Sequence, residues 1–225
     1  MIDKNLKVYQ IYHNESLLGH LDPAFIPYSH CDFTRENPEL SWKMREWPVI
    51  KDFGYNRAME DKADIWGFVS YKFNMKTGTN GKDFIDFINN NPDNHVWFME
   101  AYYPNNNYFN PWTQGDMYHQ NISDVANYAF RKLGFDIDVR RMQMPFCWYN
   151  FFVGTKEFWD TFFNIIEQIE NHSKTDEYLN DYLFQKQASP NYAGIPYFIF
   201  FVERLISLIF VLTNLKSAGF RYRYI

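Results

Sequence analysis

Residues 63–81, ADIWGFVSYKFNMKTGTNG, decide the fold. The apolar and aromatic run over 63–70 reads as a buried strand, and it stops at a polar, basic loop carrying Ser70, Lys72, Lys76 and Gly78. Asn80-Gly81 then introduces an amphipathic helix with Phe84, Ile85, Phe87 and Ile88 on one side, ended by Asn89–Asn91. Strand, polar loop and helix in that order is the unit of α/β domains, whose ligands gather at the carboxyl ends of strands.

The same reading extends outward in both directions. KVYQIY at 7–12 is a short buried strand running into the polar turn His13-Asn14-Glu15, HVWFMEAYY at 95–103 is another, and PFCWYNFFVG at 145–154 a further one. Residues 19–48, with Pro23, Pro27, Pro38 and Pro48, read as mostly irregular chain, with Pro48 opening a helix through Met59. A polar aromatic loop over 104–121 precedes a helix with Ser123 as cap, Asp124 in its first turn, Arg131 and Lys132 in its last, and Gly134 beyond. Thr155 caps a helix through Asn171, a shorter helix covers about 175–185, and the last helix runs from Pro196 to about Ser217, with Gly219 marking its end. The expectation is one α/β domain over residues 1–225. Its sheet is mixed and mostly parallel, flanked by helices, with a long apolar C-terminal helix.

The stretch 195–212, IPYFIFFVERLISLIFVL, is about long enough to cross a bilayer. Glu203 and Arg204 near its middle would each cost about 2.5–3.5 kcal/mol at a bilayer centre, which favours a buried helix whose charges line a polar cleft. Peripheral membrane contact through this helix stays open.

Composition narrows the function classes. With 22 Lys+Arg against 27 Asp+Glu the net charge is −5, which argues against a coat for duplex DNA or an anionic membrane, and no basic stripe supports a nucleic-acid partner. Aromatic residues make up 21 % of the chain, which suits sugar stacking and large cores alike. Cys31 and Cys147 lie far apart, so there is no disulfide framework and no thiolate zinc site. The opening MIDKNLKVYQIYHN lacks the apolar run of a signal peptide, and a cytoplasmic location is expected. The G-x-S-x-G elbow, the dinucleotide glycine fingerprint, the P-loop and H-E-x-x-H are all absent.

Three loops concentrate the polar chemistry. Ser70–Gly78 has lysines, hydroxyls and a glycine that suit a diphosphate, or else it is a solvated loop. In Trp112–His119, Asp116 and His119 suit a general base pair or metal ligands, the alternative being a capping Asp and a hydrogen-bonded His; Trp112 suits a sugar platform or a core position. The third group comprises Trp148-Tyr149-Asn150, with Asp176-Glu177 further on and Glu203-Arg204 in the last helix, where carboxylates act as bases or as structural partners.

KVYQIYHN, REWPVIKDF, DKADIWGFVSYKFNMKTG, NPWTQGDMYH and WYNFFVGTKEFWDTFF together resemble GT-A-type glycosyltransferases of surface-polysaccharide gene clusters, over nearly the whole chain. The resemblance implies a GT-A-like domain with a donor half at about 1–103 and an acceptor half at about 104–225. A nucleotide-diphospho-sugar would sit at the carboxyl ends of the first strands and a glycan or lipid-linked acceptor on the other side. Tyr12, His13 and Asn14 would lie near the nucleotide, Ser70, Lys72 and Lys76 at the diphosphate, and Asn150 and Gly154 along the sugar pocket. Trp112 and Gln114 would meet the acceptor, with Asp116 and His119 towards it; Asp116 is the first candidate base and Glu203 the second. Many GT-A enzymes hold Mn²⁺ or Mg²⁺ on a D-x-D motif, but the position after the strand reads Ser70-Tyr71-Lys72, so no metal site is assigned, Mn²⁺ or Mg²⁺ staying possible as cofactor, and either cationic side chains neutralise the leaving diphosphate or the site is not catalytic. Asp136-Ile137-Asp138 follows a helix and Gly134 and reads as a surface turn. The alternative is a non-catalytic glycan-binding or assembly protein of a polysaccharide pathway, built on the same aromatic loops.

Overall fold

A computed structural model of the chain describes residues 5–30, 35, 45–57, 63–102, 109–185 and 194–223. Its centre is a six-stranded sheet of order β2-β1-β3-β5-β4-β6, with β1 Leu6–Tyr12, β2 Ile26–Ser29, β3 Ile65–Ser70, β4 Val96–Tyr102, β5 Cys147–Thr155 and β6 Ser217–Arg223. β1 runs parallel to β2 and β3, and β4 parallel to β6, while β5 is antiparallel to both its neighbours. The helices are α1 Trp47–Asp52, α2 Phe73–Thr77, α3 Gly81–Asn90, α4 Pro111–Tyr118, α5 Ile122–Lys132, α6 Lys156–Ser173, α7 Glu177–Asn180 and α8 Tyr197–Leu212.

Alternation in the strands builds a core on each face. In β3, Ile65 and Val69 join one cluster with Phe73, Phe84 and Ile88, whereas Trp66 and Phe68 join the other with the inner faces of α6 and α8. The aromatic excess goes largely into these cores. Trp66 and Trp159 stack at 4.1 Å between centroids, and the Trp159 indole N–H donates to the Trp66 carbonyl at 2.9 Å. Each such ring contributes about 1.5–3 kcal/mol through burial. Gly67 sits where β3 meets β5, and a side-chain carbon there would collide with the Phe152 carbonyl. Helix α6 starts as its sequence indicates, with the Thr155 side chain accepting from the Phe158 N–H.

Several expectations are corrected. The irregular stretch over 19–48 contains β2, a parallel edge strand too short to show a period of two. The helix opened by Pro48 is α1, continuing as a single π turn over Phe53–Arg57; Met59 and Cys31 lie outside the described residues. The basic loop after β3 folds into α2, closed by Gly78 at φ 64°. The loop over 104–121 contains α4, capped by Asn110, whose side chain accepts from the Trp112 and Thr113 N–H groups. Asn121 rather than Ser123 precedes α5, and the Ser123 N–H donates to Asp116 at 3.0 Å. The expected long C-terminal helix ends at Leu212, and the remaining residues form β6 with Gly219 inside it. Among the described residues no helix is long and apolar enough to cross a membrane.

Candidate functional site

The chain leaves β1 on one side for β2 and returns on the other as β3, so the carboxyl ends of β1 and β3 are a topological switch point, the place of the ligand crevice in open α/β sheets. The loops after these strands touch. The His13 ring meets Tyr71 edge-on at 4.9 Å, and the Tyr71 N–H donates to the Ile11 carbonyl at 2.8 Å. Tyr12 ends β1 opposite Ser29, and the Asn14 side chain caps the short 3-10 turn Glu15–His20 by accepting from the Ser16 N–H. The fully buried Gln10 fixes the base of the crevice, donating to the Ser70 carbonyl at 3.2 Å and accepting from the Asp22 N–H at 2.8 Å.

Asp22 then welds this region to the next helices, accepting from Asn74 Nδ2 at 2.6 Å, the Gly81 N–H at 2.7 Å and the Ala24 N–H at 3.0 Å. Burial pushes its carboxyl up, but these hydrogen bonds outweigh that and hold it below the usual aspartate value. Gln10 and Asp22 are missing from the sequence reading. A polar residue at an inward position of β1 was the available signal for Gln10; nothing local marks Asp22.

Beside the crevice the sheet comes apart. β3 and β5 pair from Ile65↔Thr155 to Phe68↔Phe152, and the same register carried further would set Ser70 opposite Asn150, but the ladder ends at Phe68↔Phe152. On its other edge β5 loses register with β4, pairing at Phe98↔Phe152 and again at Glu100↔Cys147, so that Trp148–Phe151 stand where β4 has only Met99. The slack is taken up by Tyr149 at φ 65° and Asn150 at φ 55°, consecutive left-handed residues without a glycine. This flips the strand: Cys147 belongs to one core while Phe151 and Val153 belong to the other. Asn150 is only 9 % exposed, and its Oδ1 has no hydrogen-bond partner among the described residues. Backbone strain and a buried acceptor without a partner among the described residues thus coincide at Asn150, a combination that clusters at functional sites.

Charged groups converge on that gap from both sheet faces. From α2, the Lys76 ammonium lies 3.6 Å from the centroid of the Tyr149 ring, while Lys72 Nζ lies 5.3 Å from that of Tyr71. From the opposite face, Ser207 of α8 accepts from the Cys147 N–H at 3.3 Å, and Glu203 stands one helical turn before Ser207 on the same side. Burial raises the Glu203 carboxyl above its usual value, opposed by the charges of Arg204, Lys76 and Arg45 and reinforced by Glu46. Burial lowers the Lys76 ammonium, opposed by Glu203 and Glu46 and reinforced by Lys72 and Arg45. Arg45 and Glu46, at the entry to α1, were not singled out from sequence.

The residues of α4 are placed differently. Trp112 is fully buried against Phe201, so its ring is a core group with no face open to a sugar. Gln114 Oε1 accepts from Arg204 Nη2 at 3.0 Å, while the same guanidinium donates to the Pro111 and Phe200 carbonyls. Asp116 accepts from the Ser123 N–H and from Arg140 Nε at 3.2 Å, and Arg140 also holds Asp124 at 2.6 Å. His119, 3 % exposed, stacks on Phe200 at 4.0 Å between centroids; burial and then the Arg204 charge push its imidazole down to about 3, so it is neutral at physiological pH. Asp116 and His119 therefore join α4 to α5 and α8 rather than facing the Lys76–Glu203 gap. Gly154 lies in the paired part of β5, packed on Phe158.

The described residues at the end of β3 do not offer a divalent cation a ligand set. Lys72 stands where a carboxylate ligand would be needed, and among the described residues no group of three or more His, Cys, Asp or Glu side chains could hold one. Asp138 is spent on Arg141 and on capping the turn Val139–Arg141.

No protein-family description and no curated protein matches the chain. Among solved structures it is similar to the apo structure of WbbM, a bifunctional glycosyltransferase, with a TM-score of 0.55 and 13 % sequence identity. The similarity covers 98 % of this chain and 45 % of that protein, so the chain spans less than half of its length. Together with the mixed six-stranded sheet flanked by helices, this establishes a glycosyltransferase-like α/β fold.

Proposed function

We propose that the chain is a GT-A-type glycosyltransferase that moves a sugar from a nucleotide-diphospho-sugar to a surface-glycan or lipid-linked acceptor. The observation that carries this reading is the opened β3–β5 ladder, where Lys76 of α2, the strained Asn150 and the Glu203 carboxyl converge beside the crevice at the strand ends. In this reading the loop after β1, with Tyr12, His13 and Asn14, borders the nucleotide. Lys72, Lys76 and Ser70 take the diphosphate, and Asn150 Oδ1 accepts from a hydroxyl of the donor sugar.

Chemistry at the gap needs a base and a stabilised leaving group. Glu203 takes the proton of the acceptor hydroxyl, and that oxygen forms its bond to the anomeric carbon. The bond from that carbon to the diphosphate breaks, and the nucleoside diphosphate leaves with the electron pair. Lys72 and Lys76 stabilise the charge that develops on it. We assign the base to Glu203 rather than Asp116 because both Asp116 oxygens already accept hydrogen bonds. Asp116, His119, Gln114 and Trp112 become positioning residues that hold α4 against α8. No metal is drawn into this scheme, because the described residues at the end of β3 supply no carboxylate set for one.

A thermal-shift titration with nucleotides and nucleotide-sugars, with and without Mn²⁺, tests the reading. A ligand at about 100 times its dissociation constant adds about 2.7 kcal/mol and raises the melting temperature by several degrees. A rise for one nucleoside diphosphate and its sugars, independent of Mn²⁺, is the expected result; a flat response across the panel would overturn it.

A further inference from the structure

A second concave site lies away from the gap, in an open groove of about 350 Å³ between α5 and α7, lined by Asp124, Asn127, Tyr128, Arg131 and Tyr178. That volume is near the lower end for small-molecule sites, enough for a short saccharide rather than a folded partner. We propose that this groove binds the already assembled part of the acceptor glycan. The identity of that saccharide as acceptor rests on the transferase reading; the saccharide contact itself does not.

The lining has what a pyranose ring requires. Tyr178 is 46 % exposed and offers a flat face to the apolar C–H side of a sugar, and Tyr128 meets it edge-on at 4.9 Å to wall the groove. Hydroxyls at the ring edge need an acceptor and a donor side by side. Asp124 uses Oδ1 on Arg140 at 2.6 Å, which leaves Oδ2 for a ligand hydroxyl. Arg131 is exposed and makes no ion pair among the described residues, so its guanidinium is available as a donor.

The walls are held before any ligand arrives. The Tyr128 hydroxyl donates to Asp176 at 2.8 Å, and Lys132 pairs with the same carboxylate at 2.9 Å. Asn127 donates to Asp138 and accepts from the Val139 N–H, so its amide is held in place. With Asp124, Asn127 and Tyr128 already held, only Tyr178 and Arg131 lose freedom on binding, which suits weak, repeated contact with a polysaccharide. Arg140 also ties the groove to α4, pairing with both Asp124 and Asp116.

Saturation-transfer NMR with galactotetraose, maltohexaose and tetragalacturonate, run on the intact chain and on Tyr178→Ala and Arg131→Gln, tests this. Tyr178 and Arg131 are exposed, so both variants are expected to keep the fold. The expected result is binding of at least one saccharide, weakened about tenfold by Tyr178→Ala. Binding unchanged in both variants, or no binding of any of the three, would overturn the proposal. A nucleotide titration on the same samples separates the two readings. Saccharide binding lost in Tyr178→Ala, with no nucleotide response in any sample, keeps the groove and removes the transferase.

Discussion

The Lys76 ammonium packs 3.6 Å from the centroid of the Tyr149 ring, and Tyr149 is itself held at φ 65°. The cation is therefore parked on an aromatic face at the mouth of the opened ladder, half withdrawn from water, with Glu203 as its main opposing charge. Burial lowers the Lys76 pKa, so its charged form costs stability at neutral pH, and that cost fades as pH rises from its folded value towards 10.5. Lys76→Met keeps the apolar stem and removes the charge. It is expected to unfold at the same or a higher urea concentration at pH 7 while losing about tenfold or more in nucleoside-diphosphate affinity. Unchanged nucleotide affinity would remove Lys76 from the diphosphate site.

Glu203→Gln separates chemistry from binding. The expected result is a fall in transfer rate of about 10²–10⁴-fold with nucleotide-sugar affinity retained. Because the native state holds the Glu203 proton above pH 4.5, the folded protein binds more protons than the unfolded chain between 4.5 and that raised value, and stability falls as pH rises through that window. Gln at 203 removes this loss, so the variant is expected to be the more stable protein at pH 7. Lys76→Met withdraws a positive charge from Glu203 and should move the acid limb of the remaining activity to higher pH. A limb that stays put would show that the two groups are not coupled.

Much of the fold is legible because it rests on local rules. The apolar, aromatic run in 63–70 and the Thr155 cap identify β3 and α6 directly. What escapes is set by distant partners. β2 and β6 are edge strands defined by their neighbours, and α2 is too short for a helical period. Trp112 reads equally as platform or core, and only packing against Phe201 separates the two. Lys72 and Lys76 stand out as cations after a strand, but the left-handed pair Tyr149-Asn150 cannot be read in advance: Asn tolerates positive φ, whereas Tyr149 before it gives no warning.

His119 supplies a pH test independent of substrate. With its imidazole near 3 in the folded protein against 6.5 for the free side chain, the unfolded chain binds the extra proton between those values, and stability falls as pH drops from 6.5 towards 3. The slope approaches about 1.4 kcal/mol per pH unit inside the window. His119→Gln cannot titrate there. Urea denaturation at pH 6.5, 5.5 and 4.5 is expected to show a shallower decline for the variant, even though the lost stacking on Phe200 makes it less stable at every pH. Parallel declines would mean that another group dominates acid sensitivity.

Asn150 is where stability and function should part. Its backbone is left-handed at φ 55°, and its buried Oδ1 has no partner among the described residues, so both features cost free energy in the folded state. Asn150→Gly relieves both: glycine accepts the positive φ, and the orphaned acceptor disappears. Glycine also gives the unfolded chain more freedom, which offsets part of the gain and leaves a net rise of about 1 kcal/mol. A residue kept against such a gain is expected to be used on a ligand. In the donor reading Oδ1 accepts from a sugar hydroxyl, so Asn150→Gly should weaken nucleotide-sugar binding while binding of the bare nucleoside diphosphate stays the same. Chemical denaturation and the two titrations measure all three quantities on one protein. If the variant were less stable and bound both ligands as the parent does, Asn150 would be an ordinary bulge residue, and the opened ladder would lose its place in sugar recognition.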